Sequence, residues 1–153
     1  MRVSYNKAMW AAGTALSAVL VVSGCSQMKS METKMGTAAD TSMLTLTGAQ
    51  EVPPVNTQAS GSSSIAVIGD KTVTGRVEVR NMNATAAHIH QGAAGQNGPV
   101  IIPLVKTADN VWSVPPNTAL TSAQFDAYRS GNLYVNVHTA ANPAGEIRVQ
   151  LKP

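Results

Sequence analysis

The 153-residue chain has almost no cysteine: Cys25 is its only one, so the residues after it can form no internal disulfide and offer no thiolate set to a metal. Aromatic residues are scarce at 4% and charged residues at 12%. Neither a basic cluster nor an aromatic platform is present, which excludes a nucleic-acid footprint. No Gly-x-Ser-x-Gly elbow occurs and no acid is paired with a nearby histidine, so a hydrolase has no support. The run of apolar and small residues from Ala8 to Val22 is too brief for a comfortable transmembrane helix. There is no internal repeat.

That run follows Arg2 and Lys7 and ends in the quartet Val22-Ser23-Gly24-Cys25. A positive start, a short apolar core and small residues before a cysteine make a secretory signal. The quartet resembles the bacterial lipobox, which implies cleavage before Cys25, lipidation of its sulfur and acylation of the new amino terminus. Two or more acyl chains anchor stably where one would not. Ser26, rather than an aspartate, points by the same resemblance to the outer membrane of the cell envelope. The alternative is a signal-anchored protein with an incidental cysteine. Residues 1–24 are thus expected to be a lipoprotein signal peptide, 25–42 a lipidated flexible tether, and 43–153 a single domain. Without Arg2 and Lys7, nine Lys and Arg face eight Asp and Glu, so the basic character belongs largely to the signal. Met28, Met31 and Met35 are soft thioethers that suit copper(I), but an ordinary linker explains them more simply.

From Leu44 onward the pattern becomes two-residue alternation. Leu44 and Leu46 point inward, and Val77 and Val79 alternate with Arg76, Glu78 and Arg80, as in strands with one wet face. Gly69-Asp70-Lys71 is expected to be a tight hairpin turn. Further strands are expected at "TAAHIHQ", "VIIPLV", "VWSV", "NLYVNVHT" and "GEIRVQLK", with Gly, Pro, Asn and Asp between them. The spacing indicates an all-β chain, a β-sandwich or Greek-key barrel. One short helical insertion is expected at "TSAQFDAYRSG", with Thr121 and Gln124 as a capping box, Gly131 closing the far end, and Ala123, Phe125 and Tyr128 packing inward.

Alternation also places the histidines. In "AAHIHQ", Ala87 and Ile89 point into the core and His88 and His90 project together from the other face. In "LYVNVHT", Leu133, Val135 and Val137 point inward, leaving Tyr134, Asn136 and His138 outside. If the two strands are neighbours, three imidazoles form a set open to water or a fourth ligand. Imidazole suits Zn(II), Cu(II), Ni(II) and Fe(II), and a planar or T-shaped three-nitrogen set suits Cu(II) best. The alternative is structural: His88 and His90 hydrogen-bond to the glycine-rich loop "QGAAGQNGPV" and staple it to the sheet. That loop leads into a strand, so it is no phosphate cradle. Its glycines allow positive φ and close backbone approach, with Asn97, Gly98 and Pro99 as a turn. Glu51 is a candidate fourth ligand, though a turn-side hydrogen bond is its commoner role. Trp112 reads as core or rim packing, and Glu146 with Arg148 as a solvated pair.

The blocks "LTGAQEVPPVNTQASGSSSIAV", "HIHQGAAGQNGPVIIPL" and "GNLYVNVHTAANPAGEIRVQL" resemble, in order, the signature blocks of the CHRD domain, the repeated module of chordin that also occurs in bacterial secreted proteins. The resemblance covers nearly all of Leu44–Leu151 and implies an immunoglobulin-like β-barrel distantly similar to Cu/Zn superoxide dismutase. In dismutases a His-Val-His strand and a later Val-Val-His strand supply copper ligands, and an Ala-Gly-x-Arg segment supplies an anion-steering arginine. Here "HIH", "NVH" and Ala144–Arg148 are similar in the same order, with the arginine one residue farther along. The resemblance implies His88, His90 and His138 as metal ligands and Arg148 as an anion-steering residue; Asn136 and Glu51 are further candidates for a supporting or anion-steering role. Copper comes ahead of zinc, since no bridging histidine or zinc-ligand set exists. Three functions follow: an envelope copper-binding lipoprotein, a mononuclear copper dismutase, or a metal-independent protein-binding module using the "EVPPVNTQ" and "PPNTAL" loops.

Overall fold

A computed structural model describes residues 43–153; the expected signal peptide, Cys25, the expected tether and its methionines lie outside the described residues. The domain is all-β with one helix. Eleven strands are formed: β1 (Leu44–Thr47), β2 (Ser60–Ser63), β3 (Ala66–Val67), β4 (Val73–Thr74), β5 (Arg76–Arg80), β6 (Ala84–Gln91), β7 (Val100–Pro103), β8 (Val105–Ala108), β9 (Val111–Ser113), β10 (Leu133–Thr139) and β11 (Ile147–Gln150). Nine of them make one antiparallel sheet in the order β7-β6-β10-β11-β1-β2-β5-β9-β8, and β3 pairs with β4 separately. The first strand lies beside the last, as a Greek-key path requires.

The two edges of the large sheet are consecutive pieces of chain. Only Leu104 separates β7 from β8, and this residue is buried, with its N–H donating to Ala87 O at 2.9 Å. Both edges therefore meet at one corner, and the twisted sheet curls into a nearly closed barrel. Its interior is filled by the inward set of the alternation. Leu46, Val77, Val135, Val137 and Ile147 are fully excluded from solvent, with Ile89 and Leu133 nearly so. Each contributes about 1.5–3 kcal/mol by burial, and Trp112 packs against the same cluster.

Several local expectations are corrected. The hairpin at Gly69–Lys71 forms, but the residue with positive φ is Lys71, at 71°, and not the glycine. Lys71 N–H closes a turn onto Ile68 O at 2.7 Å, and Ile68 N–H bonds Thr72 O across the hairpin. "TVTGRVEVRN" is two strands, because Gly75 adopts φ 108° and its Cα lies against Ser64, where a side chain would clash. The helix α1 (Ser122–Arg129) carries the reciprocal Thr121–Gln124 capping box, and Gly131 takes φ 72° beyond its end. Phe125 and Tyr128 pack inward as expected, whereas Ala123 is exposed and Ala127 takes its place. Phe125 and Tyr128 are three residues apart and so share the buried stripe, while Ala123 in the first turn is exposed.

Candidate metal centre

Strands β6 and β10 are neighbours, with Tyr134 opposite His90, Asn136 opposite His88 and His138 opposite Ala86. On the far side of β10, Arg148 pairs with Asn136 and Gln150 with Tyr134. The outward residues of three adjacent strands thus form one polar layer outside the hydrophobic core. This layer is not the open, wet face expected from alternation. His90, Tyr134, Asn136, His138 and Arg148 are all buried, and His88 half-buried. Two loops cover them: the glycine-rich connection from β6 to β7 and the β10–β11 connection through Pro143, Ala144 and Gly145.

The three histidines are brought together. One ring nitrogen from each lies within 4.8 Å of the others, and no carboxylate joins the group. His88 Nδ1 and His138 Nε2 are 2.9 Å apart. Nitrogens bound at about 2.0–2.1 Å to a common ion are at most about 4.2 Å apart, so the widest allowed pair need close by only about half an ångström. The other nitrogens are fixed from behind. His90 Nδ1 lies 2.9 Å from Gly98 O and His138 Nδ1 lies 3.1 Å from Pro143 O. A carbonyl only accepts, so each Nδ1 carries the proton and each Nε2 presents a lone pair. Such backing is how metal-ligating imidazoles are oriented. The His90–Gly98 bond is also the staple of the structural alternative, so one contact serves both readings.

Burial is the main cause that holds all three imidazoles below their ordinary pKa. The charge of His90 adds to it at His88, while the bonds to Gly98 and Pro143 oppose it at His90 and His138. All three are therefore neutral and able to ligate at neutral pH. His90 Nε2 is buried without a hydrogen-bond partner. An orphaned lone pair beside two further imidazole nitrogens fits a cation.

Behind His90 stands Tyr134, its ring stacked on the imidazole at 4.8 Å and 6°. The Arg148 guanidinium stacks on the same ring, 3.4 Å from its centroid. The expected solvated Glu146–Arg148 pair is not formed. Arg148 is 1% exposed and donates to Ala93 O, Gln96 O, Asn97 Oδ1 and Gln150 Oε1, pinning the glycine-rich loop. A guanidinium held this way is part of the wall and not a cation at a solvent mouth. Glu146 instead accepts from Thr57 Oγ1 and Thr139 Oγ1. In the loop, the turn falls at Ala93–Gln96 with Gly95 at φ 76°, one step before the expected Asn97-Gly98-Pro99. Gly98 has another role: its Cα lies so close to Gln91 O that no side chain fits.

Glu51 lies outside the histidine group. It is buried beside Asn136, and desolvation pushes its carboxyl up to about 7 against the opposing pull of Arg148. A cleft of about 460 Å³ opens over Glu51 and Arg148, lined also by Gln50, Val52, Ala94 and Gln150, and none of the three histidines borders it. Tyr134 is the residue that sequence reasoning left without a role. Its signal was its place two and four positions before Asn136 and His138 on one face.

A family model for the CHRD domain matches residues 43–151. The chain belongs to the CHRD domain family. No curated protein and no solved structure matches it. The CHRD assignment spans every strand of the barrel and both histidine-bearing strands.

Proposed function

We propose that this CHRD protein is an envelope-anchored lipoprotein whose domain binds one transition-metal ion, copper ahead of zinc, through His88, His90 and His138. The observation that carries the reading is the convergence of three imidazole nitrogens within 4.8 Å, two of them with their second nitrogen committed to a backbone carbonyl. Three neutral nitrogen donors without thiolate or carboxylate favour copper among divalent ions, which stands at the top of the affinity order for such sites. Anchoring rests on the Val22–Cys25 quartet and places the domain in the outer membrane's periplasmic or surface compartment. There the protein acts in metal storage, delivery or protection. Calorimetric titration of the purified protein with Cu(II), Zn(II) and Ni(II) tests the binding reading: one equivalent is expected, with copper tightest. Absent stoichiometric binding, or an affinity unchanged in His90→Ala, contradicts it. For the anchor, Cys25→Ala is expected to move the protein from the membrane to the soluble fraction.

A further inference from the structure

Buried polar side-chain atoms without a hydrogen-bond partner are few in the described residues, and three of the four belong to one layer: His90 Nε2, Asn136 Oδ1 and Glu51 Oε1. The fourth, Trp112 Nε1, lies on β9. A buried acceptor left unpaired is costly, so three in one layer mark a place built around something else. All three are acceptors. His90 Nε2 is a lone pair because Nδ1 faces Gly98 O, and the carbonyl and carboxylate oxygens have no proton to give when Glu51 is ionised. Two unpaired acceptors on neighbouring strands, one of them a ring nitrogen of the histidine group, call for a cation and an O–H donor, while Glu51 Oε1 stands beside the Asn136 amide outside that group.

Asn136 is 2% exposed and sits opposite His88 in the register. The oxygen turns away from Ala144 and Glu51, toward the β6 strand that carries His88 and His90. The nitrogen points the other way. Nδ2 lies 3.4 Å from Ala144 O, and a methyl group at Gly145 would be 2.6 Å from Nδ2 and 2.5 Å from Glu51 Oε1. Glycine at this position is what leaves room for the carboxylate and the amide to stand side by side. Gly145 itself takes φ 133°, a conformation closed to other residues.

We propose that Asn136 Oδ1 is the acceptor for a solvent molecule held at the histidine centre, and that Glu51 fixes the amide so that this oxygen stays turned toward the histidines. The inference rests on the metal-binding reading and deepens it: the protein supplies three nitrogens and leaves the next position to an exchangeable ligand with an O–H group. Asn136 and Glu51 are positioning residues, since neither joins the ligand group. A centre of this kind accepts a small external molecule where four protein ligands would close it.

The test is electron–nuclear double resonance of the full chain loaded with one equivalent of Cu(II), compared in H2O and D2O. The expected result is an exchangeable proton coupling stronger than those of the ligands' own imidazole N–H protons, lost in D2O, beside the imidazole nitrogen couplings. Asn136→Ala is expected to shift or abolish that exchangeable coupling while the nitrogen couplings persist. Glu51→Ala is expected to do the same, and Glu51→Gln to restore the native signal, because its amide oxygen still accepts from Asn136. Nitrogen couplings with no exchangeable proton beyond the weak imidazole N–H set in the unsubstituted protein overturn the proposal alone, whatever the variants' folding. An exchangeable coupling indifferent to Asn136→Ala also overturns it. Missing nitrogen couplings overturn the metal reading beneath it.

Discussion

Replacing Glu51 by glutamine removes a charge that the fold holds at a disadvantage, so the exchange should stabilise the metal-free protein at alkaline pH. The carboxyl is 4% exposed and desolvation raises its pKa from 4.5 to about 7, with Arg148 and Asn136 pulling only part of the way back. A raised folded-state value means that the native chain keeps a proton the unfolded chain has released. Stability from this group is complete below pH 4.5 and is lost as pH rises through about 7. At about 1.4 kcal/mol for each pH unit between those values, the loss comes to about 3–4 kcal/mol above pH 7. Urea denaturation with a chelator present, at pH 4.5 and pH 8, measures the difference between the native protein and Glu51→Gln. Near-equality at the acid end and an advantage of about 2–3 kcal/mol for the variant at pH 8 are expected. Equal stabilities at pH 8, or a variant destabilised by the same amount at both pH values, would refute the argument that this carboxylate is stranded.

The histidines act with the opposite sign. Their folded-state pKa values lie below the ordinary 6.5, so the unfolded chain takes up protons first and stability falls as pH drops below about 6.5; metal affinity measured by competition with a chelator should fall in the acid range as well. Saturation with copper at a free concentration of about 100 times Kd should add about 2.7 kcal/mol to unfolding free energy, and replacing all three histidines should abolish the gain. Gly98→Ala forces the loop away from Gln91 O and draws the Gly98 carbonyl off His90 Nδ1. It should cost about 1–3 kcal/mol by denaturation and lower copper affinity about 10- to 100-fold by titration. Arg148→Lys loses the fork that spans Ala93, Gln96 and Asn97 and the stack on Tyr134, and should cost about 2 kcal/mol or more, with faster amide exchange from Gly92 to Gly98.

Much of the barrel was legible because its strands alternate, and alternation is local. Leu133, Val135 and Val137 could point inward only if Tyr134, Asn136 and His138 pointed outward. That the outward residues meet those of β6 depends on strand order and register, which pair positions 44 to 52 residues apart and leave no periodic trace in the sequence. The family resemblance supplied that neighbourhood; the residues did not. Covering of the outer face was hidden for a related reason. The loops that do it are glycine-, alanine- and asparagine-rich, and they are held by backbone carbonyls at Ala93, Gln96, Gly98 and Pro143, where the side chain carries no signal. Arg148 was misplaced with a solvated Glu146 because its partners are those carbonyls. Gly75 and Leu104, which break two apparent strands, show how little punctuation is needed when sheet closure decides where a strand ends.

The most direct measurement is electron paramagnetic resonance with nitrogen double resonance on the protein carrying one equivalent of Cu(II). Convergence of β6 and β10 predicts three inequivalent imidazole couplings in the native chain and two in His138→Ala. A native spectrum with fewer than three, or one that His138→Ala leaves unchanged, would contradict it.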